Sequence, residues 1–283
     1  MSNKNYLSIY AKSFNWAGFF LPKKTYQKCS SLYDFCRTVD NIADDQDELY
    51  IKKKKFLIFK NDFINKNFDN LIIKNMWDLM TDHKISIRII EDLFTGIESD
   101  LNEKVQLNSK KDLLIYSYRV AGTVGLMMAK ILDVKDKDSM KAAIDLGIAM
   151  QLTNIARDVI EDSKNNRFYI QHNFQIISNT LTLADLFYKS CFTSINKIPF
   201  NFRFAILIAR RVYRKIGGEI LKTNNIESYN KAGKIYVNNF SKVYQTALSL
   251  YDLIRLSLTD EKSNYMSDEH LLINEEIDLN ERI

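Results

Sequence analysis

Only two prolines, Pro22 and Pro199, and eight glycines punctuate 283 residues, and this scarcity of turn-forming residues constrains the fold more than any other feature. A many-stranded protein reverses direction every few residues and draws on Gly, Pro and Asn-Gly chemistry to do so. Here unbranched helix formers dominate, and apolar residues recur at the alternating three-and-four spacing of a buried helix face. The expected fold class is all-α. Helical periodicity is read over 25–43, 49–65, 71–80, 86–101, 113–132, 138–163, 181–196, 202–223 and 231–258. A short aromatic-rich segment over 13–20 closes at Leu21 and Pro22, and Asp138 or Ser139 is expected to cap the helix over 138–163. No linker rich in Gly, Pro or Ser divides the chain, so one helical domain is expected over 1–283, with a core over about 7–258 and a polar, acidic tail over 259–283.

Two of these helices carry the same short cluster, Asp40-Asn41-Ile42-Ala43-Asp44 and Asp158-Val159-Ile160-Glu161-Asp162. Residues four apart share a helix face, so each cluster aims two carboxylates the same way. Tyr33, Arg37, Asp40 and Asp44 form one polar stripe beside Leu32, Phe35, Cys36, Val39 and Ile42. Gln151, Asn154, Asp158 and Asp162 form the other beside Leu152, Ile155, Ala156 and Val159, with Arg157 at its edge. A single Asp pair at this spacing is usually ordinary helix surface. The duplication, and polar groups set among apolar ones rather than among Lys and Glu, point instead to an interior cavity. If the helices face one another, four acidic groups converge on a space suited to hard cations and the diphosphate such cations carry.

Composition excludes several alternatives. The net charge of +5 is spread along the chain without a basic, aromatic-interleaved strip, so no nucleic acid partner is expected. The run of Lys52, Lys53, Lys54 and Lys55 reads as a solvated helix face. Cys29, Cys36 and Cys191 have no metal-ligand spacing, and their odd number argues for a reducing compartment. No signal-length apolar segment opens the chain and no window reaches the length of a membrane span, so a cytoplasmic protein, at most peripheral at the inner face of the membrane, is expected. His83, His172 and His270 lie outside every motif and are assigned to surface structure. Nothing resembles the Gly-rich strand-turn-helix that holds a dinucleotide, so no nicotinamide cofactor is expected.

In the helix over 113–132, Ser117, Ala121, Gly125 and Ala129 recur every fourth residue, with Gly122 beside them. Each interior glycine costs about 1 kcal/mol relative to alanine, so something must compensate. Close helix packing is one explanation. The other is a groove for a long, thin apolar substrate, with Met127, Met128 and Met150 as adaptable lining.

Four ordered segments carry a family resemblance: Ala11-Lys12-Ser13-Phe14, Leu32-Tyr33-Asp34-Phe35-Cys36-Arg37-Thr38-Val39-Asp40, Tyr118-Arg119-Val120-Ala121-Gly122-Thr123-Val124-Gly125, and Gln151-Leu152-Thr153-Asn154-Ile155-Ala156-Arg157-Asp158-Val159-Ile160-Glu161-Asp162. Through them the chain, from about residue 7 to 250, resembles the squalene/phytoene synthase family of head-to-head isoprenoid synthases. The resemblance implies an all-α isoprenoid-synthase fold around a central cavity, with magnesium, or manganese in its place, held by two Asp-rich motifs. By position, Asp40, Asp44, Asp158 and Asp162 are implied metal ligands with Asn154 beside them. Arg37 and Arg157 are implied diphosphate contacts, and Tyr116 joins the catalytic set. Tyr33, Val120, Gly125, Gln151, Tyr169 and Tyr213 are implied cavity residues, Ser13 and Phe14 part of a lid, and Lys234 and Lys242 basic ligands near the C-terminus.

Three positions depart from the family's pattern. Tyr10 replaces a common histidine, Asn41 replaces the second acidic residue of the first motif, and Asn166-Arg167-Phe168-Tyr169-Ile170-Gln171 lacks the usual glycine and proline. The wording around Gly125-Leu126-Met127-Met128-Ala129 and Gly147-Ile148-Ala149-Met150-Gln151 is most similar to the bacterial carotenoid-forming members. This implies two geranylgeranyl diphosphates condensed through prephytoene diphosphate to phytoene without a reductant, with other carotenoid-pathway enzymes as admissible partners. The alternatives are a farnesyl-diphosphate-using squalene, dehydrosqualene or hydroxysqualene synthase, and, from another class, a non-catalytic family member acting as an assembly or binding protein.

Overall fold

The computed structural model describes residues 12–258 and 266–283, and both prolines stand where helices begin. Pro22 precedes α2 and Pro199 precedes α10, positions at which the missing N–H and fixed φ cost nothing. The chain runs α1 (Lys12–Gly18), α2 (Lys23–Asp44), α3 (Leu49–Ile64), α4 (Leu71–His83), α5 (Ile87–Ser99), β1 (Val105–Gln106), α6 (Lys110–Ser117), a π-helical turn (Tyr118–Gly122), α7 (Thr123–Ile131), α8 (Lys137–Lys164) and β2 (Arg167–Phe168). It continues through α9 (Phe174–Ser190), a 3₁₀ turn (Thr193–Lys197), α10 (Phe200–Leu221), α11 (Ile226–Ala232), α12 (Asn239–Leu258), α13 (Ser267–Asn274) and α14 (Leu279–Arg282). The all-α expectation is met. The two-residue strands pair in parallel, Val105 with Arg167 and Gln106 with Phe168, a small sheet that the sequence did not announce.

Helix α8 is the hub, packing against α7, the π turn, α9 and α10. An aromatic cluster anchors α2 to α3, α4 and α5: the Phe35 and Phe63 centroids lie 5.2 Å apart, Phe63 and Phe94 5.5 Å, and Phe63 and Trp77 5.3 Å. Helix α7 crosses α8 at backbone contact. A Cβ on Gly125 would stand 2.1 Å from the Ala143 carbonyl oxygen, and one on Gly147 2.2 Å from that of Ala121. Close packing thus explains Gly125, and both it and Ala121 line the central cavity.

Several boundaries differ from expectation for local reasons. Asp136, not Asp138 or Ser139, caps α8 by accepting the Ser139 N–H at 2.8 Å. The expected helix over 181–196 starts at Phe174 because Asn173 caps it, and its last turn becomes the 3₁₀ turn. The expected helix over 231–258 is broken at Gly233, whose φ of 62° is left-handed, so that α11 ends and α12 begins separately.

Residues 266–283 do more than the polar tail expected of them: Ile273, Ile277 and Leu279 enter the core. Their charged groups pair with the helices beneath: Glu269 with Lys110 at 2.8 Å, Glu275 with Lys111 at 2.6 Å, and Arg282 of the tail with Asp92 at 2.8 Å. His270, expected at the surface, is 4 % exposed and lies 2.5 Å from Asp145 of α8. Among the described residues no helix is long and apolar enough to cross a membrane.

Candidate functional site

Both polar stripes open into one cavity of about 1050 Å³. From α2 come Tyr33, Arg37, Asp40 and Asp44, and from α8 Gln151, Asn154, Arg157, Asp158 and Asp162. The apolar residues between them on each helix, such as Leu32, Phe35 and Val39 on α2 and Leu152, Ile155 and Ala156 on α8, are buried, which fixes the rotation of both stripes. Tyr116, Val120, Gly125, Tyr169, Tyr213, Lys234 and Lys242 line the same space. Of the residues singled out from sequence, only Ser13 and Phe14 go unplaced: their backbone lies in α1, but their side chains, like all of Tyr10, fall outside the described residues.

Charge is unevenly satisfied at the head of the cavity. Arg167 Nη1 donates to Asp44 at 2.7 Å and its Nη2 to the Ala43 carbonyl at 3.0 Å, while Arg37 approaches Asp44 at 3.7 Å. Arg157 grips its neighbour Asp158 through two bonds of 2.8 and 2.6 Å. Lys234, delivered by the break at Gly233, lies 2.5 Å from Glu161 and 3.5 Å from Asp158. Among the described residues the other carboxylate of each pair has no such ion pair. Burial, then the charge of Asp44, pushes Asp40 up to about 7. Burial, then Asp158, pushes Asp162 up to about 8. Asp40 and Asp162 each feel Arg167 and Asp100, so the two stripes share one electrostatic centre.

Asp100, which closes α5, is the functional candidate that sequence reading missed. Tyr116 Oη and Tyr169 Oη donate to its two carboxylate oxygens at 2.8 and 2.7 Å, and the hydroxyls lie 2.8 Å apart with their rings stacked at 4.6 Å. Burial raises the Asp100 carboxyl above its ordinary range, against the lowering effects of Arg167 and of the two tyrosine hydroxyls. Arg167 was missed too: its loop was read only as a departure in shape, whereas pairing of β1 with β2 holds the arginine toward Asp44.

The donor set fits a hard divalent cation. Four carboxylates and an amide oxygen are oxygen ligands of the right kind, and Asn154 Oδ1 is buried with no hydrogen-bond partner. Burial and then the neighbouring carboxylate raise Asp40 and Asp162, effects that a bound cation would offset. Among the described residues no three His, Cys, Asp or Glu side chains converge tightly enough to hold an ion alone. Magnesium commonly takes one or two carboxylates and completes its shell with water and substrate phosphate, so this spacing suits it. Away from the charged head, Val120, Ala121, Val124, Met128 and Leu132 form an apolar wall. At 1.5 Å per helical residue it extends about 18 Å.

Comparison with known proteins agrees with this geometry. Residues 8–171 match the squalene/phytoene synthase family. A 15-cis-phytoene synthase of Pantoea ananas is 28 % identical over 247 residues, 76 % of this chain and 80 % of that protein. A 4,4'-diapophytoene synthase of Staphylococcus haemolyticus is 29 % identical over 260 residues, 82 % of this chain and 90 % of that one. Among solved structures, a dehydrosqualene synthase in complex with a ligand superposes with a TM-score of 0.69 at 25 % identity, covering 88 % of this chain and 94 % of the other.

Proposed function

The chain belongs to the squalene/phytoene synthase family, and from that premise we propose that it is a phytoene synthase, joining two geranylgeranyl diphosphates head to head through prephytoene diphosphate to phytoene with release of diphosphate. It is a prenyltransferase. The observation that supports this reading is the union of two carboxylate stripes in one cavity that also has an apolar wall over Val120, Ala121, Val124, Met128 and Leu132.

Asp40, Asp44, Asp158 and Asp162, with Asn154, would hold magnesium, or manganese in its place. When bound, the metal supplies positive charge to a departing diphosphate. Arg37, Arg157, Lys234 and Lys242 line the same end and are suited to receive the diphosphate oxygens, guanidinium groups binding them bidentately. Arg157 and Lys234 are held meanwhile by Asp158 and Glu161, which keeps them oriented before substrate arrives. An allylic cation left by ionisation must meet the second chain before water reaches it, and the wall from Val120 to Leu132 excludes water there. The stacked rings of Tyr116 and Tyr169 line the same cavity and are suited to stabilising positive charge. Asp100 beneath them keeps both hydroxyls fixed by accepting from each.

The three free, buried cysteines support a reducing, cytoplasmic setting, with the enzyme meeting the membrane at its inner face. A second reading, use of the shorter farnesyl diphosphate, is supported by the diapophytoene synthase relative and the dehydrosqualene synthase structure. The deciding experiment is product analysis after incubation with magnesium and each diphosphate in turn, without a nicotinamide reductant. Phytoene from geranylgeranyl diphosphate is expected. Turnover of farnesyl diphosphate alone, or a product formed only when reductant is added, would overturn the assignment and leave the family intact.

A further inference from the structure

Helix α12 is inverted. Its buried side carries Lys242, Gln245, Ser249, Asp252 and Leu256, four of them polar. Its outer side presents Phe240 (83 % exposed), Tyr244 (56 %), Tyr251 (64 %), Ile254 (61 %) and Leu258 (82 %) to solvent. An ordinary surface helix does the opposite. The orientation is fixed by specific partners on other helices: Arg211 donates to Asp252 at 2.7 Å, and Trp16 Nε1 donates to Thr246 at 2.9 Å. Rotating the helix to hide its apolar side would strand a buried carboxylate and guanidinium.

We propose that the outer face of α12 docks on a lipid bilayer bearing anionic headgroups. Three features select that partner. The helix has 20 residues, about 30 Å, yet its exposed surface bears no carboxylate and one charge, Arg255, in a chain that is 27 % charged. Val243 and Leu250, both exposed, widen the stripe beyond a narrow coiled-coil seam, and the charged flanking positions that select a helical partner are missing. The breadth, the aromatic content and the cationic residue suit a helix lying in the headgroup region. The cavity opens beside the start of this helix: Tyr236, 65 % exposed and three residues before it, lines the cavity, as does Asn239 of the first turn. Docking there would set the cavity mouth against the membrane. That benefit rests on the proposed function, in which the product is a hydrocarbon, while the docking face itself does not.

The test is flotation of the full chain with phosphatidylcholine vesicles containing phosphatidylglycerol. Wild type is expected in the floating fraction, and the double variant Tyr251→Glu with Ile254→Glu, both far from the site residues, is expected to lose about tenfold or more of that recovery. Its circular dichroism and its turnover in detergent micelles should match wild type. The milder pair Tyr251→Ser with Ile254→Ser replaces it if the glutamates disturb folding. Equal flotation of variant and wild type would overturn the proposal. So would a wild type that stays at the bottom of the gradient but sediments as a dimer split by the same substitutions, which would assign the face to a second copy of this chain. Flotation without phytoene formation, or the reverse, separates failure of one reading from failure of the other.

Discussion

Single carboxylates set the chemistry, and their protonation gives the first expectation. An acid whose folded-state pKa lies above its ordinary value of 3.8 takes up protons on folding, so its contribution to stability is lost as pH rises through that interval. For Asp40 and Asp162 the interval runs from 3.8 to about 7 and about 8. Magnesium competes with those protons. Thermal unfolding should therefore shift upward with magnesium by a few degrees near pH 8 and hardly at all near pH 5. A shift equal at both pH values would show that these carboxylates do not bind the ion. Asp40→Asn removes one charge of a mutually repelling pair, so turnover should fall on the order of 10²-fold or more while the unfolding temperature without metal holds or rises. Full activity in that variant would remove Asp40 from the site. These stripes were legible in sequence because helix geometry alone places residues four apart on one face. Asp100 and Arg167 were not, since one closes a helix and the other sits in a loop, and only tertiary packing brings them to Tyr116, Tyr169 and Asp44.

Pairs of helices decide what the small residues are for. Gly125 and Ala121 both line the cavity, but Gly125 also faces the Ala143 carbonyl at a distance that forbids any Cβ. Gly125→Leu should cost about 3 kcal/mol or more of unfolding free energy by denaturant titration. Ala121→Leu should cost less and lower use of geranylgeranyl diphosphate more than that of farnesyl diphosphate. Equal loss with both substrates would place the prenyl chain elsewhere. The number and order of the long helices were readable from periodicity. The break at Gly233 was not, because a single glycine inside a helical pattern marks a left-handed stop only when the surrounding packing requires one. Nor was the inversion of α12, since periodicity defines an apolar stripe without saying whether it faces the core.

Across the whole molecule, residues 266–283 fasten the helices that carry the site. Asp145 lies on α8, thirteen residues before Asp158, and its buried bond to His270 links the hub to the chain's end. His270→Ala leaves that carboxylate without its closest partner, and a loss of about 3 kcal/mol is expected in unfolding experiments, with activity per folded molecule unchanged. A neutral effect would show the contact to be incidental. The acidic composition of this segment concealed its role, because Glu269, Glu275 and Glu276 meet Lys110, Lys111 and Arg119 rather than water alone. The central claim, that two distant carboxylate pairs act as one metal-diphosphate centre, is tested most directly by anomalous scattering from crystals grown with manganese and an unreactive thio analogue of geranylgeranyl diphosphate. Manganese peaks are expected at roughly 2.0–2.2 Å from oxygens of both Asp pairs, bridged by the analogue's diphosphate. Peaks confined to one pair, or a diphosphate seated away from α2 and α8, would contradict it.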